Sequence, residues 1–598
     1  MENEHSRREF LKNMAAGITA TSLAGGAKGG ADDLNRIHVA RRTKPAASMR
    51  SETAHFVEVA SEAGVIAPNV WGGVNEKRFI LETKGNGVAF LDYDGDGWLD
   101  IYLSNGTRLE GFPRGEEPTN HLYHNNRDGT FTDVTGRSGL ARTGWQTGVC
   151  VGDYDNDGRE DLFLTYWGQN RLFHNNGNGT FTDVTERAGL IQTRVRWGTG
   201  CAFLDYDRDG WLDIFVANYI EFDPKQLLVK GNTKTCEWKG MGVLCGPNGL
   251  QSGRNVLYHN NGDGTFTDVS EISGIAKSEG KGIGVVCCDF DNDGWSDIYV
   301  ANDSTPSELY HNNHDGTFSQ IGMEQGVALS PDGLVQGGMG VTAGDYDNDG
   351  WLDIFKTNFS DQTPNLYHNN HDGSFTDLVF ASGLGTLTAL VSWGTGFVDV
   401  DNDGWLDLFY VNGHVYPEVD QYHMDSHYRQ PRLLYHNLGN GRFQDVSTEC
   451  GPAFEERYSS RGCAFGDFDN DGRIDILIMN MNDKPSLWRN ETLRLNNSVV
   501  IKLTGVRSNR SAIGTRVRIE ANGHAQWAEV HSGGSVMSMS DLRLHFGLGK
   551  AERISQLEIR WPSGIIEKLK DVNANRILYI REGAGIVKSE RFASSREY

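Results

Sequence analysis

Carboxylates at alternate positions ahead of a glycine recur seven times in this chain, in the pattern Asp-x-Asp-x-Asp-Gly-x-x-Asp. The copies are Asp92, Asp94, Asp96 and Asp100; Asp153, Asp155, Asp157 and Asp161; Asp205, Asp207, Asp209 and Asp213; Asp289, Asp291, Asp293 and Asp297; Asp345, Asp347, Asp349 and Asp353; Asp399, Asp401, Asp403 and Asp407; and Asp467, Asp469, Asp471 and Asp475. Alternation sends successive carboxylates toward one point, and the glycine lets the backbone turn sharply. A hard cation such as Ca²⁺ wants six to eight oxygens at about 2.3–2.6 Å, which such a loop can gather. The loop starts like an EF-hand loop but closes with Asp at its ninth position. Asp/Gly surface turns occur singly in many proteins, but seven copies that each keep four aspartates point to cation sites. The sequence therefore predicts about seven bound Ca²⁺ ions.

The formal charge of −24 follows from the same loops, because the twenty-eight motif carboxylates exceed the whole imbalance. Seven divalent ions would leave about −10, an ordinary surface charge at this size. The acidity argues against nucleic-acid binding, which calls for a clustered basic face.

Each loop sits in a longer unit, clearest in the fifth copy. Gly340-Val341-Thr342-Ala343-Gly344 enters the loop and Asp353-Ile354-Phe355-Lys356-Thr357-Asn358 leaves it. Leu366-Tyr367-His368-Asn369-Asn370 follows, then an Asp372-Gly373 turn and Ser374-Phe375-Thr376-Asp377-Leu378. Short β-rich runs between turn signals make four strands per unit. Repetition every 50–60 residues predicts an all-β fold, a seven-bladed propeller across residues 55–492. The seventh unit lacks its fourth strand, and His55-Phe56-Val57-Glu58-Val59-Ala60 supplies a matching run at the other end. That segment is expected to complete the last blade and remove a sheet edge.

Residues 498–582 alternate apolar and polar positions, as in Leu557-Glu558-Ile559-Arg560-Trp561, and read as a small separate β-sandwich; residues 583–598 read as a tail. At the N-terminus, Ser6-Arg7-Arg8-Glu9-Phe10-Leu11-Lys12 precedes a short mild apolar stretch. It resembles a twin-arginine signal peptide over residues 1–27, which implies bacterial export to the periplasm or beyond. Residues 28–54 read as a disordered linker. No later segment reaches the length of a membrane span, so the mature chain is expected to have no transmembrane segment.

The seven acidic units resemble FG-GAP/VCBS repeats, which integrin α-subunit propellers share. Ser508-Asn509-Arg510-Ser511-Ala512-Ile513-Gly514-Thr515-Arg516-Val517, His545-Phe546-Gly547-Leu548-Gly549 and Arg560-Trp561-Pro562-Ser563-Gly564 resemble an ASPIC/UnbV domain. Together they resemble the bacterial relatives of cartilage acidic protein across roughly residues 55–582. The resemblance implies a calcium-binding propeller in an exported protein and carries no settled activity. Gly533-Gly534-Ser535-Val536-Met537 departs from the aromatic-containing version of that stretch.

Motif starts lie 61, 52, 84, 56, 54 and 68 residues apart. The surplus falls between the second and third strands of units 1, 3 and 6, which places long loops on the face opposite the metal loops. Trp145, Trp197, Trp393, Asn218, Asn302, Asp303, His414 and Arg461 are expected to gather there. Aromatics with carboxamides and a few charges suit a sugar or peptide site. In the competing reading the tryptophans pack between blades and the asparagines cap strand ends. His414, His423 and His427 share one insertion and could bind a transition metal or simply face solvent. Cys150, Cys201, Cys287, Cys288 and Cys463 read as inert core thiols. Cys236 and Cys245 lie within the third insertion, where a disulfide would stabilise a loop without a core.

No nucleophile elbow, phosphate loop or ordered triad is recognisable, so no catalytic residue is named. The sequence reads as an exported calcium-binding scaffold for a glycan or protein partner. The alternative is a carbohydrate-active enzyme, a lyase or a sugar isomerase/dehydratase, with its site on the non-metal face.

Overall fold

A computed structural model describes residues 54–221, 236–422 and 424–593 of the chain. The expected signal peptide, nearly all of the expected linker and His423 lie outside them. The described residues belong to one compact unit.

Seven four-stranded antiparallel units follow one another, with the sheets of units 2 and 3 joined through the Arg196–Leu204 and Asp161–Gly168 strands. The first strands are Val88–Leu91, Gln146–Gly152, Arg196–Leu204, Gly282–Cys288, Gly338–Gly344, Ser392–Val398 and Ser460–Gly466. Each packs against the next, and the seventh returns to the first, so these inner strands form a closed ring. Phe56–Glu58 pairs with Ser486–Asn490 (Phe56 opposite Asn490), and both chain segments meet in unit 7. The N-terminal strand thus completes the seventh sheet, as its sequence predicts.

Glycine fixes how closely the inner strands approach. A Cβ at Gly200 would lie 2.6 Å from the Ile283 carbonyl oxygen, and at Gly340 2.2 Å from that of Trp393. Gly148, Gly284 and Gly394 meet the following strand in the same way. No larger residue fits these positions without parting adjacent units. The strand register shifts beside them, a bulge that admits the close approach.

A second relay links the units at the metal-loop end. The asparagine ending each third strand donates its amide N–H to the ninth-position aspartate of its own loop. Its side chain reaches the loop of the preceding unit. In unit 4, Asn312 N donates to Asp297 Oδ1 (2.8 Å) and Asn312 Nδ2 to the Tyr206 carbonyl (2.8 Å). Asn175, Asn260, Asn369, Asn437 and Asn490 repeat both bonds, and Asn125 closes the circle on Phe468 O at 2.9 Å. Between loops, Asn348 Nδ2 donates to Gly404 O (3.0 Å) and Asn470 Nδ2 to Gly97 O (2.9 Å). Both asparagines hold positive φ, a conformation Asn tolerates better than most residues.

Residues 497–591 form two four-stranded sheets packed as a sandwich. Val499, Ile501, Val517, Ile519, Leu557, Ile559, Leu578 and Ile580 fill the space between them. The expected tail is partly a strand, since Gly585–Arg591 pairs with Arg576–Arg581. The domain is also less separate than its sequence suggests. It covers the metal-loop face of the ring, and its 531–541 loop enters the channel between the inner strands. That loop bonds to six of the seven units. Gly534 N donates to Val285 O (2.6 Å), Val341 N to Ser535 O (2.9 Å), Val149 N to Met537 O (3.2 Å) and Met539 N to Val88 O (2.9 Å); Phe203 N reaches Ser532 Oγ (3.0 Å) and Phe465 N reaches Ser540 Oγ (3.2 Å). Inner-strand groups facing the channel would otherwise lack partners, and unpaired buried amides are costly.

Replacing Asn312 by alanine leaves the buried Tyr206 carbonyl without its donor, at a cost of about 1–3 kcal/mol. Denaturant unfolding should register that loss. Asn313→Ala, which removes only exposed side-chain bonds to Thr317 and Ser319, should fall within about 0.5 kcal/mol.

Candidate metal centres and the opposite face

The seven loops lie side by side at one end of the ring, each between the first and second strands of its unit. Within a loop the first aspartate organises the backbone. Asp345 accepts from Asp349 N (3.0 Å) and Gly350 N (3.0 Å), and Asp153, Asp289, Asp399 and Asp467 repeat the pair. The ninth aspartate is buried and carries the asparagine relay. Between them the third and fifth positions turn toward the same space.

A histidine joins six of these loops from the third strand of the same unit. His124, His174, His259, His311, His368 and His436 place Nδ1 between 2.9 and 3.5 Å from Oδ1 of the ninth aspartate. In the first five the same nitrogen lies 3.0–3.4 Å from Oδ2 of the third-position aspartate. Donor atoms of Asp94, Asp100 and His124 therefore fall within 4.8 Å of one another, as do those of Asp207, Asp209 and His259 and those of Asp347, Asp349 and His368. The run that supplies this histidine, Tyr-His-Asn in five units and Phe173-His174-Asn175 in the second, recurs in plain view. From sequence alone the run is only a strand, and neither the imidazole nor the asparagine stands out.

Crowding these carboxylates costs free energy in the absence of a cation. Burial, aided by neighbouring aspartates, pushes Asp100 up to about 9, Asp205 and Asp345 to about 8, and Asp213 and Asp353 to about 7. The hydrogen bond to the ninth aspartate raises His259 to about 8 and His311 to about 9. Asp92 Oδ1 and Asp205 Oδ1 are buried with no hydrogen-bond partner among the described residues. Clustered hard oxygens, some unpaired, fit a divalent cation, which would replace protons as the neutralising charge.

At the other end of the ring the eight residues expected to line a recognition surface do come together, but they are buried. A segment from Asn69 to Gly87, including a 3₁₀ turn at Ile80–Thr83, closes that end. Trp145 meets the buried Trp71 edge-on at 5.1 Å, and Trp197 meets Tyr219 at 5.0 Å. Arg461 lies 4.1 Å over the Trp393 ring and donates to the carbonyls of Lys84 (3.0 Å) and Thr83 (3.2 Å). Asn218 and Asn302 bond to the Arg254 and Pro306 carbonyls at strand ends. His414 packs 4.6 Å from Trp238, accepts from Tyr416 N at 3.1 Å, and is pushed down to about 4 by burial. Packing and capping account for most of these side chains, so the expectation that they ring an open mouth is corrected. His427 is exposed beside Asp420, 3.3 Å away.

Asp303 is buried in an ion pair. Lys84 Nζ lies 2.6 Å and Tyr219 Oη 2.7 Å from its Oδ2. Burial opposes ionisation of Asp303, yet these partners hold its carboxyl below the usual range. The pair borders a cavity of about 300 Å³ that Trp238, Leu244, Phe359, Gln362 and Tyr416 also line. The Cys236–Cys245 disulfide, with Cα atoms 5.1 Å apart, clips the loop that forms one wall. Cys150, Cys201, Cys287, Cys288 and Cys463 are buried free thiols.

A ring of acidic-loop units under a β-sandwich defines an FG-GAP-repeat propeller with an ASPIC/UnbV domain. The FG-GAP-like repeat profile matches residues 92–164, 153–216, 243–300, 289–356 and 426–478, and the ASPIC and UnbV profile matches 505–587. The chain carries FG-GAP-like repeats and an ASPIC/UnbV domain, and it is similar to cartilage acidic protein 1. Cartilage acidic protein 1 of Homo sapiens is 26% identical across 80% of this chain and 69% of its own length, and that of Mus musculus is 25% identical across 80% and 70%. A solved Agrocybe aegerita lectin that recognises non-reducing terminal N-acetylglucosamine is 16% identical. The match covers 66% of this chain and 88% of the lectin at a TM-score of 0.37, too loose to argue from.

Raised aspartate and histidine pKa values set the sign of the pH response. The cation-free fold binds more protons than the unfolded chain between about pH 4 and 8, so its stability falls as pH rises. In chelator, lowering pH from 8 to 6 should therefore raise the melting temperature. Saturating Ca²⁺ should abolish or reverse that trend, because protons then compete with the ion. A chelated protein that melts lower at pH 6 would contradict this electrostatic account.

Proposed function

We propose that the protein is an exported scaffold whose ring of acidic loops takes Ca²⁺ and whose opposite face binds a glycan or protein partner. The calcium reading rests on the repeated carboxylate–imidazole clusters and their unpaired buried oxygens. Calcium that binds the native state alone stabilises it by about 2.7 kcal/mol per site at 100 times the dissociation constant. A disulfide in the third insertion suits an oxidising compartment. No helix of the described residues is long and apolar enough to cross a membrane.

The single observation that favours the non-metal face is its cavity. The sandwich covers the metal loops and fills the channel, whereas the opposite cavity has three aromatic side chains and the Lys84–Asp303–Tyr219 group in its walls. Its volume matches the small end of ligand sites. A sugar ring or one side chain of a partner fits such a space. Lyase or isomerase chemistry has one supporting feature, the titratable group at the cavity wall. Lys84 and Tyr219 both bond to Asp303, however, which favours binding over proton transfer.

Asp303 and His414 are poor choices for testing this reading, because both are buried. Removing one partner of the Lys84–Asp303 pair should cost about 3–5 kcal/mol through the charge left behind. Trp238→Ala and Gln362→Ala alter the cavity wall with smaller structural cost. A glycan and peptide array on the calcium-loaded protein should yield a ligand whose binding weakens at least tenfold in Trp238→Ala, with the melting temperature nearly unchanged. A ligand that ignores both substitutions but requires the sandwich would move recognition to the C-terminal domain.

A further inference from the structure

The seventh loop keeps all four aspartates but stands in different company. Where six units present histidine, unit 7 presents Arg489, whose Nε lies 3.2 Å from Glu491 Oε1 and whose charge also faces Asp469 and Asp475. Arg473 occupies the loop's seventh position, grips Asp471 through two nitrogens and donates to Thr492 O at 2.9 Å. Arg494, in the linker to the sandwich, bonds to the Asp471 carbonyl and lies 3.6 Å from its carboxylate. Arg543 of the sandwich donates to Asp467 O (2.8 Å) and Asn470 Oδ1 (2.7 Å). Asp471 is buried, whereas its counterparts Asp157, Asp209, Asp293 and Asp349 are exposed. Other loops meet fewer cations: Lys502 at Asp92 (3.2 Å) and Arg127 at Asp96 in the first loop, and Arg159 at Asp157 in the second; among the described residues none of them meets four arginines. Asp469 Oδ1 remains without a hydrogen bond, as do Asp155 Oδ1 and Asp347 Oδ1, so acceptors are not what the seventh loop lacks. It differs in the four arginines set around it, two of which also pair with Glu491 and Asp541.

This loop is also where the chain's separate pieces meet. Thr492 Oγ1 accepts from His55 N (2.9 Å), and Glu491 N donates to His55 O (2.7 Å), which fastens the N-terminal strand. Ser498 Oγ donates to Gly472 O (2.8 Å) at the start of the sandwich, and Ala593 N donates to Asn470 O (2.8 Å) at its end.

We propose that the seventh loop is a cation-independent lock. Arg473, Arg489, Arg494 and Arg543 supply there the charge that a divalent ion supplies in the six histidine-bearing loops. The seam of the ring closes without calcium, and the loaded protein carries six ions. This rests on the calcium reading above.

Elemental analysis of the full chain after dialysis into trace calcium should give six ions. Asp469→Asn should leave six and Asp347→Asn should leave five. Arg473→Trp with Arg489→His, which restores the residues of the fifth unit, should raise the number to seven. Seven ions in the unaltered protein, or loss of one on Asp469→Asn, would overturn the proposal while leaving the calcium reading intact. No bound calcium at all would overturn both. Should the variants fail to fold, crystals of the unaltered protein soaked in a lanthanide decide the matter. Anomalous peaks at six loops and none between Asp467 and Asp475 are expected, and a peak there would refute the lock.

Discussion

Each unit of the ring depends on one carboxylate that serves two structures. The ninth-position aspartate accepts the backbone N–H of the strand-end asparagine, and that asparagine's side chain holds the loop of the preceding unit. The same carboxylate faces the imidazole and the other loop aspartates. Whatever neutralises the loop therefore also sets how firmly adjacent units are joined. A cation bound in such a loop would be tied to ring cohesion through that one side chain.

The rest of the architecture builds on that joint. Glycines in the inner strands bring the units close enough for the loops to touch. The sandwich then covers the loop face and sends the 531–541 loop into the channel, where it satisfies groups the inner strands cannot pair among themselves. The 69–87 segment closes the far end around Trp71 and Arg461. With both ends occupied, a cavity of about 300 Å³ remains to one side, against the clipped insertion of unit 3.

Much of this was legible because it is local and repeated. Four fixed aspartates, the hairpin turns and the missing fourth strand of unit 7 each occupy a few adjacent residues, and repetition separates them from chance. The Tyr-His-Asn run was equally visible, but a residue that bonds to the neighbouring unit looks like any strand residue until the ring is closed. The burial of Trp393, Arg461 and Asp303 left no local trace at all. Lys84 and Asp303 are 219 residues apart, and Ser535 meets Val341 from a different domain. Contacts of that kind arise from docking, and binary patterning cannot encode them.

Hydrogen exchange at the strand-end asparagine amides tests the joint most directly. In calcium, Asn125, Asn175, Asn260, Asn312, Asn369 and Asn437 should be protected like the inner strands. Chelation should speed their exchange while the inner strands and the Asn490 amide stay protected. Exchange at these amides that does not change with calcium would contradict the claim that the cation loops hold the units together.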